Sequence, residues 1–120
     1  MNANLKINFL EADKTQNLQV VDFDGEFDKA GFAEIKDELT NFVKAFELKS
    51  LIFDFGKLKY INSEGIGFLM EVHTHLIQRD RKLVVVSLNA NVKDIFTAIG
   101  IADIVPVFDS LNDYLNSATK

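Results

Sequence analysis

Leu5, Ile7 and Phe9 alternate with Lys6 and Asn8, the period-two pattern of a strand with one face buried. A polar turn over residues 11–17 separates this run from a second, Leu18 to Asp24, and the pair predicts a hairpin that ends at Gly25-Glu26-Phe27-Asp28. From Ala30 to Phe46 the apolar positions fall at 32, 35, 39, 42, 43 and 46, which is helical spacing. Ser50 to Phe55 is almost continuously apolar, as expected of a strand inside a sheet with helices on at least one face. A short turn then leads into a helix from Ser63 to Arg79. Its inward face is expected to carry Ile66, Leu69, Met70, His73, Leu76 and Ile77, with Phe68, Val72 and His75 on a second stripe. Lys82 to Leu88 reads as another buried strand. Asn91 to Ile99 reads as a short helix stopped by Gly100 at its C-cap. Ile104 to Phe108 predicts a last strand, placed at an edge because Pro106 has no N–H to donate. A helix opening at Asp109 or Ser110, with Leu111, Tyr114 and Leu115 inward, closes the chain.

A hairpin followed by alternating helices and strands predicts one α/β domain over residues 1–120. Its sheet is mixed and mostly parallel, of four to five strands, with about four helices and right-handed crossovers. Eleven Phe and no Trp point to a core of Phe, Ile, Leu and Val. The net charge is −5 with both signs interspersed, which argues against a nucleic-acid backbone as partner. No run reaches the length of a membrane span, and the first residues lack an apolar signal core, so a cytoplasmic protein is expected. The absence of Cys excludes disulfides and thiolate metal sites.

Catalytic groupings are missing from the pattern. His73 and His75 stand two apart on a helix and face different ways, His73 inward and His75 to solvent. Asp37-Glu38 reads as a solvated helix face. Gly65-Ile66-Gly67 lacks both the third glycine of a dinucleotide fingerprint and the lysine of a phosphate loop. The expectation is therefore no enzyme, no cofactor, no metal and no catalytic residue. What remains is Ser63, a hydroxyl at a helix start. There it serves either as the cap or as a site that accepts a phosphate.

Asp54 to Leu69 resembles the signature of the STAS domain family, as found in bacterial anti-sigma factor antagonists. In that pattern a strand ends in Asp, and Asp-Ser-Ser/Thr-Gly-Leu-Gly opens a helix. The counterparts here are Asp54 and Asn62-Ser63-Glu64-Gly65-Ile66-Gly67. Gly25-Glu26-Phe27-Asp28 resembles the family's Gly-Glu-Leu-Asp. Asn89 to Asp103, with Val92, Ile95, Phe96, Gly100 and Ile101, resembles a later segment of the family, so the likeness covers nearly the whole chain. It implies a monomer whose unphosphorylated form binds an anti-sigma factor with serine-kinase activity and so releases a sigma factor. The kinase phosphorylates Ser63 and a serine phosphatase reverses this. Asp28, Asn62, Ser63, Glu64, Gly65 and Phe68 are the implied contact residues. Asp28 is expected near Ser63, and Phe68 either packs on the neighbouring helix or stands partly exposed as an anchor. Asn62 departs from the family's Asp and loses its charge; Glu64 departs from Ser/Thr and adds one beside the acceptor. These departures favour an alternative, a constitutive STAS interaction module in a transport or signalling complex.

Overall fold

The computed structural model describes residues 4–118, so the ends of the expected 1–120 domain lie outside the described residues. Strands β1 (Leu5–Phe9) and β2 (Leu18–Phe27) form the antiparallel hairpin, with Leu5 opposite Gly25 and Phe9 opposite Val21. Helix α1 (Lys29–Ala45), strand β3 (Ser50–Ile61), helix α2 (Ser63–Ile77), strand β4 (Lys82–Val86) and helix α3 (Ala90–Ile99) follow. A 3-10 turn (Ile101–Asp103), strand β5 (Val107–Phe108) and helix α4 (Leu111–Ala118) complete the order. The sheet runs β1-β2-β3-β4-β5, parallel from β2 onward.

Strands laid down in sequence order by crossovers of one hand put every crossover helix on the same face. That face holds the main core. Val21, Phe23, Leu51, Phe53, Phe55, Leu83 and Val85 of the sheet pack against Ile35 and Leu39 of α1, Leu69 and Leu76 of α2, and Phe96 of α3. Phe23 contacts Phe53 and Phe55 at 4.8 and 5.0 Å between ring centroids. Each such side chain, fully buried, contributes about 1.5–3 kcal/mol. The opposite face is covered by α4, where Leu18, Val20, Ile52, Val84 and Val86 meet Tyr114. The Tyr114 hydroxyl is hydrogen-bonded to buried Ser50 at 2.9 Å.

Three expectations are corrected. The strand at Ser50 does not stop at Phe55 but runs to Ile61, and β2 likewise runs on to Phe27. Two bulges hide this: Asp22 pairs with Asp54 but Asp24 with Lys57, and Gly25 pairs with Leu58 but Glu26 with Tyr60. Each places an extra residue on β3, so the buried Leu58 and Ile61 fall three apart instead of two. The strand expected from Ile104 shrinks to Val107–Phe108, because Ile101 is buried by a 3-10 turn and Ile104 is 51% exposed. On α2, Ile77 is not inward but 51% exposed; Phe68 and Val72 are buried, as the packing reading of the second stripe has it, because the helix is wedged between the sheet and α1.

Where α4 leaves the second face uncovered, Asp22 and Asp54 stand side by side on adjacent strands, with Lys57 and Ser87 around one cavity. Partial burial and then the neighbouring Asp54 charge raise the Asp22 pKa, with Lys57 and a hydrogen bond from Asn8 opposing. A carboxyl whose pKa is raised on folding favours the folded state at low pH. That contribution is complete below the ordinary carboxylate value and is lost as pH rises through the raised one. Asp22→Asn is therefore expected to raise the melting temperature at pH 7, with the gain vanishing below about pH 3.8. Thermal unfolding of both proteins across this range checks it.

Candidate functional site

The parallel ends of β2 and β3 set Phe27 beside Ile61, and the next residue of each strand becomes a helix cap. Asp28 caps α1 with φ −112° and ψ −169°, its Oδ1 accepting from Gly31 N at 2.8 Å. Asn62 caps α2 in nearly the same conformation, φ −106° and ψ −173°. Its Oδ1 accepts from Glu64 N at 3.0 Å and Gly65 N at 3.1 Å. Asn62 N donates to Phe27 O at 3.0 Å, which locks the two caps side by side. Asp28, Lys29, Ala30, Ala33 and Asn62 line one shallow depression.

A glycine stands three residues after each cap for a steric reason. A Cβ on Gly31 would lie 2.1 Å from Glu26 O; one on Gly65 would lie 2.7 and 2.8 Å from the Ile61 and Phe27 side chains. The first turns of α1 and α2 therefore sit directly on the strand ends that precede them. Asn89 repeats the arrangement for α3: its Oδ1 accepts from Val92 N at 2.8 Å, and its Nδ2 donates to Leu58 O of β3 at 2.7 Å.

Ser63 is the first residue of α2 and is exposed. The sequence left its hydroxyl as cap or acceptor; the cap is Asn62. Replacing a capping Asn by Ala costs about 1 kcal/mol, whereas the Ser63 hydroxyl bonds to none of the described residues. With Glu64 N and Gly65 N taken by Asn62, only Ser63's own N–H of this first turn is left over. A group added to Ser63 therefore stands beside the exposed Glu64, with the N–H groups of Glu64 and Gly65 already bonded to Asn62.

Of the sequence candidates, Asp28, Asn62, Ser63 and Glu64 come together at one sheet end. Gly65 and Phe68 are close by but point inward. Phe68 is 6% exposed and packs on Phe32 and Phe27, at 5.0 and 6.3 Å between centroids, which decides for packing on the neighbouring helix over an exposed anchor. The aromatic stack supports both capped turns from below. His75 is half-buried rather than exposed. Its Nδ1 lies 3.1 Å from Arg79 Nη1, and its pKa is lowered by burial, then by Arg79 and Lys44. Among the described residues no three His, Asp or Glu gather as metal ligands, and no helix is long and apolar enough to cross a membrane.

The pattern of the STAS domain family matches residues 9–114. The chain belongs to the STAS family. The BtrV protein of Bordetella bronchiseptica, named as an anti-sigma factor antagonist, is 29% identical over 101 residues, 84% of this chain and 86% of its own. The crystal structure of an anti-sigma factor antagonist from Mycobacterium paratuberculosis matches with a TM-score of 0.84 at 17% identity, covering 100% of this chain and 98% of its own. The Bacillus cell fate determinant SpoIIAA in its phosphorylated form matches with a TM-score of 0.68 at 12% identity, covering 94% and 99%. At these identities the two structures establish the shared fold. In this STAS domain, then, the motif Asn62 to Gly67 is the capped first turn of α2 and its continuation. One signal went unread in the sequence: the twin spacing Asp28-x-x-Gly31 and Asn62-x-x-Gly65, which marks two helix starts of the same build.

Proposed function

We propose that this STAS domain is an anti-sigma factor antagonist. In this reading its unphosphorylated form binds an anti-sigma factor with serine-kinase activity and so frees a sigma factor. Phosphorylation of Ser63 switches it off and a serine phosphatase restores it, in the cytoplasm and as a monomer. One observation carries the proposal: Ser63 is exposed and its hydroxyl bonds to none of the described residues, because Asn62 performs the capping. In the transfer, Ser63 Oγ takes the γ-phosphoryl group of ATP, ADP leaves, and the hydroxyl proton passes to a base on the kinase.

The test is incubation with the serine kinase of the source cell and ATP, followed by intact mass measurement. One phosphate per chain is expected on the parent and none on Ser63→Ala. Because Ser63 is exposed and does not cap, Ser63→Ala is expected to keep its stability within about 0.5 kcal/mol, so lost labelling does not reflect misfolding. Equal labelling of both proteins overturns the assignment. Glu64 beside the acceptor favours a second reading, a constitutive STAS binding module, in which neither protein is labelled and the partner is a transport or scaffold subunit.

A further inference from the structure

His75 carries an N–H group that the fold leaves unmet. Arg79 can only donate, so its Nη1, 3.1 Å from His75 Nδ1, makes that nitrogen the acceptor. Burial first, then Arg79 and Lys44, lower the His75 pKa, so the imidazole is uncharged at neutral pH and its one proton sits on Nε2. Nε2 is shielded from water and bonds to none of the described residues. A buried donor without an acceptor costs stability, and most such groups in folded proteins are satisfied. His75 lines a groove between α1 and α2. The floor of this groove is apolar and buried: Val43 of α1 with Phe68 and Val72 of α2. Lys44 stands exposed on the α1 side and Glu71 on the α2 side, and neither makes an ion pair among the described residues. At about 140 Å³ the groove is well below the roughly 300–1,000 Å³ of pockets for drug-sized ligands.

We propose that this groove binds a small apolar α-amino acid as its zwitterion. The carboxylate pairs with Lys44 and accepts the hydrogen of His75 Nε2. The ammonium pairs with Glu71, and the side chain rests on Val43, Phe68 and Val72. Charge complementarity selects this occupant. A fatty or aromatic acid would set its carboxylate against Glu71 with no cation to offset it. An amine would face Lys44 and leave the His75 N–H unmet. A nucleotide is too large for the groove and brings negative charge alone. The inference goes beyond the antagonist reading and does not rest on it. Phe68 belongs to both places: it floors the groove and stacks with Phe32 and Phe27 beneath the Asp28 and Asn62 caps. An occupied groove therefore touches the support of the Ser63 turn through one packed ring.

The probe is L-leucine, titrated into the full chain and followed by backbone amide shifts. Saturation below about 1 mM is expected, with the shifts centred on residues 40–44 and 68–75. Isocaproate, which lacks the ammonium, and isoamylamine, which lacks the carboxylate, are each expected to bind at least tenfold more weakly. Glu71→Gln and Lys44→Gln change exposed residues and are expected to melt with the parent while binding leucine several-fold more weakly. Glu71→Gln is also expected to bind isocaproate no worse than the parent does, because the repelling carboxylate is gone. His75→Leu is expected to bind leucine at least tenfold more weakly yet melt at the parental temperature or above, since it removes the unmet N–H. No saturation below about 10 mM, shifts centred elsewhere, or isocaproate or isoamylamine binding as tightly as leucine overturns the proposal. So does parental affinity for leucine in any of the three variants.

Discussion

Gly31→Ala is expected to lower the unfolding free energy by about 3 kcal/mol or more, a fall of roughly 10 °C in melting temperature for a domain of this size. The added Cβ would sit 2.1 Å from the backbone oxygen of Glu26 and 3.0 Å from Leu5 Cβ. Glu26 cannot swing aside, because its N–H donates to Asn4 O at 2.9 Å and its neighbour Phe27 is fully buried. Relief must come from lifting the first turn of α1 off the strand ends. That movement also strains the Asp28 cap, whose acceptor oxygen is bound by Gly31 N. Chemical or thermal denaturation reads the loss directly. A Gly31→Ala protein as stable as the parent would show that α1 is not seated on β2 in this way, and the pairing of Asp28 with Asn62 would lose its support.

The fold was legible wherever apolar periodicity and turn chemistry agreed. The hairpin, the alternating order, the run of buried residues in β4 and the stop at Gly100 were all read from spacing. Gly100 does adopt φ +81° and donates to Phe96 O. The reading failed on β3, where bulges broke the period of two and the exposed Lys57, Lys59 and Tyr60 looked like a turn. It failed again at Ile104, because a short apolar run preceding Pro106 does not distinguish a strand from a 3-10 turn that buries Ile101. For α2, spacing left the second stripe open between packing and exposure, and it placed Ile77 inward although it is 51% exposed. The helix is covered on two sides, so Phe68 and Val72 are buried as well.

At the site, the residues Asp28, Asn62, Ser63 and Glu64 were found by resemblance, and their meeting at one sheet end follows from two parallel strands leaving the sheet together. The division of labour between Asn62 and Ser63 was not legible. Asn and Ser cap about equally well, so only backbone geometry, with Asn62 extended and Ser63 helical, decides which one does it. The difference between Gly65 and Gly67 was likewise invisible. It depends on Ile61 and Phe27 lying under one and open space lying over the other.

A phosphate on Ser63 is expected to weaken the hold on the anti-sigma factor about a hundredfold. It adds about −1.5 to −2 charges at neutral pH. Against an acidic group on the partner, two like unit charges about 6 Å apart at an effective dielectric of 20 repel by roughly 3 kcal/mol, enough for two powers of ten in affinity. Were the helix N-terminus free, it would absorb part of this charge. Asn62 already occupies Glu64 N and Gly65 N, and the neighbouring Glu64 is acidic, so little of the charge is expected to be offset within the domain. No refolding is needed for such a switch.

The most direct measurement is a calorimetric titration of the purified anti-sigma factor with this protein, unmodified and stoichiometrically phosphorylated, with Ser63→Ala as the uncharged control. Tight binding by the unmodified chain and by Ser63→Ala, and binding about a hundredfold weaker by the phosphorylated chain, is the predicted result. Equal affinity for the unmodified and phosphorylated chains would contradict it.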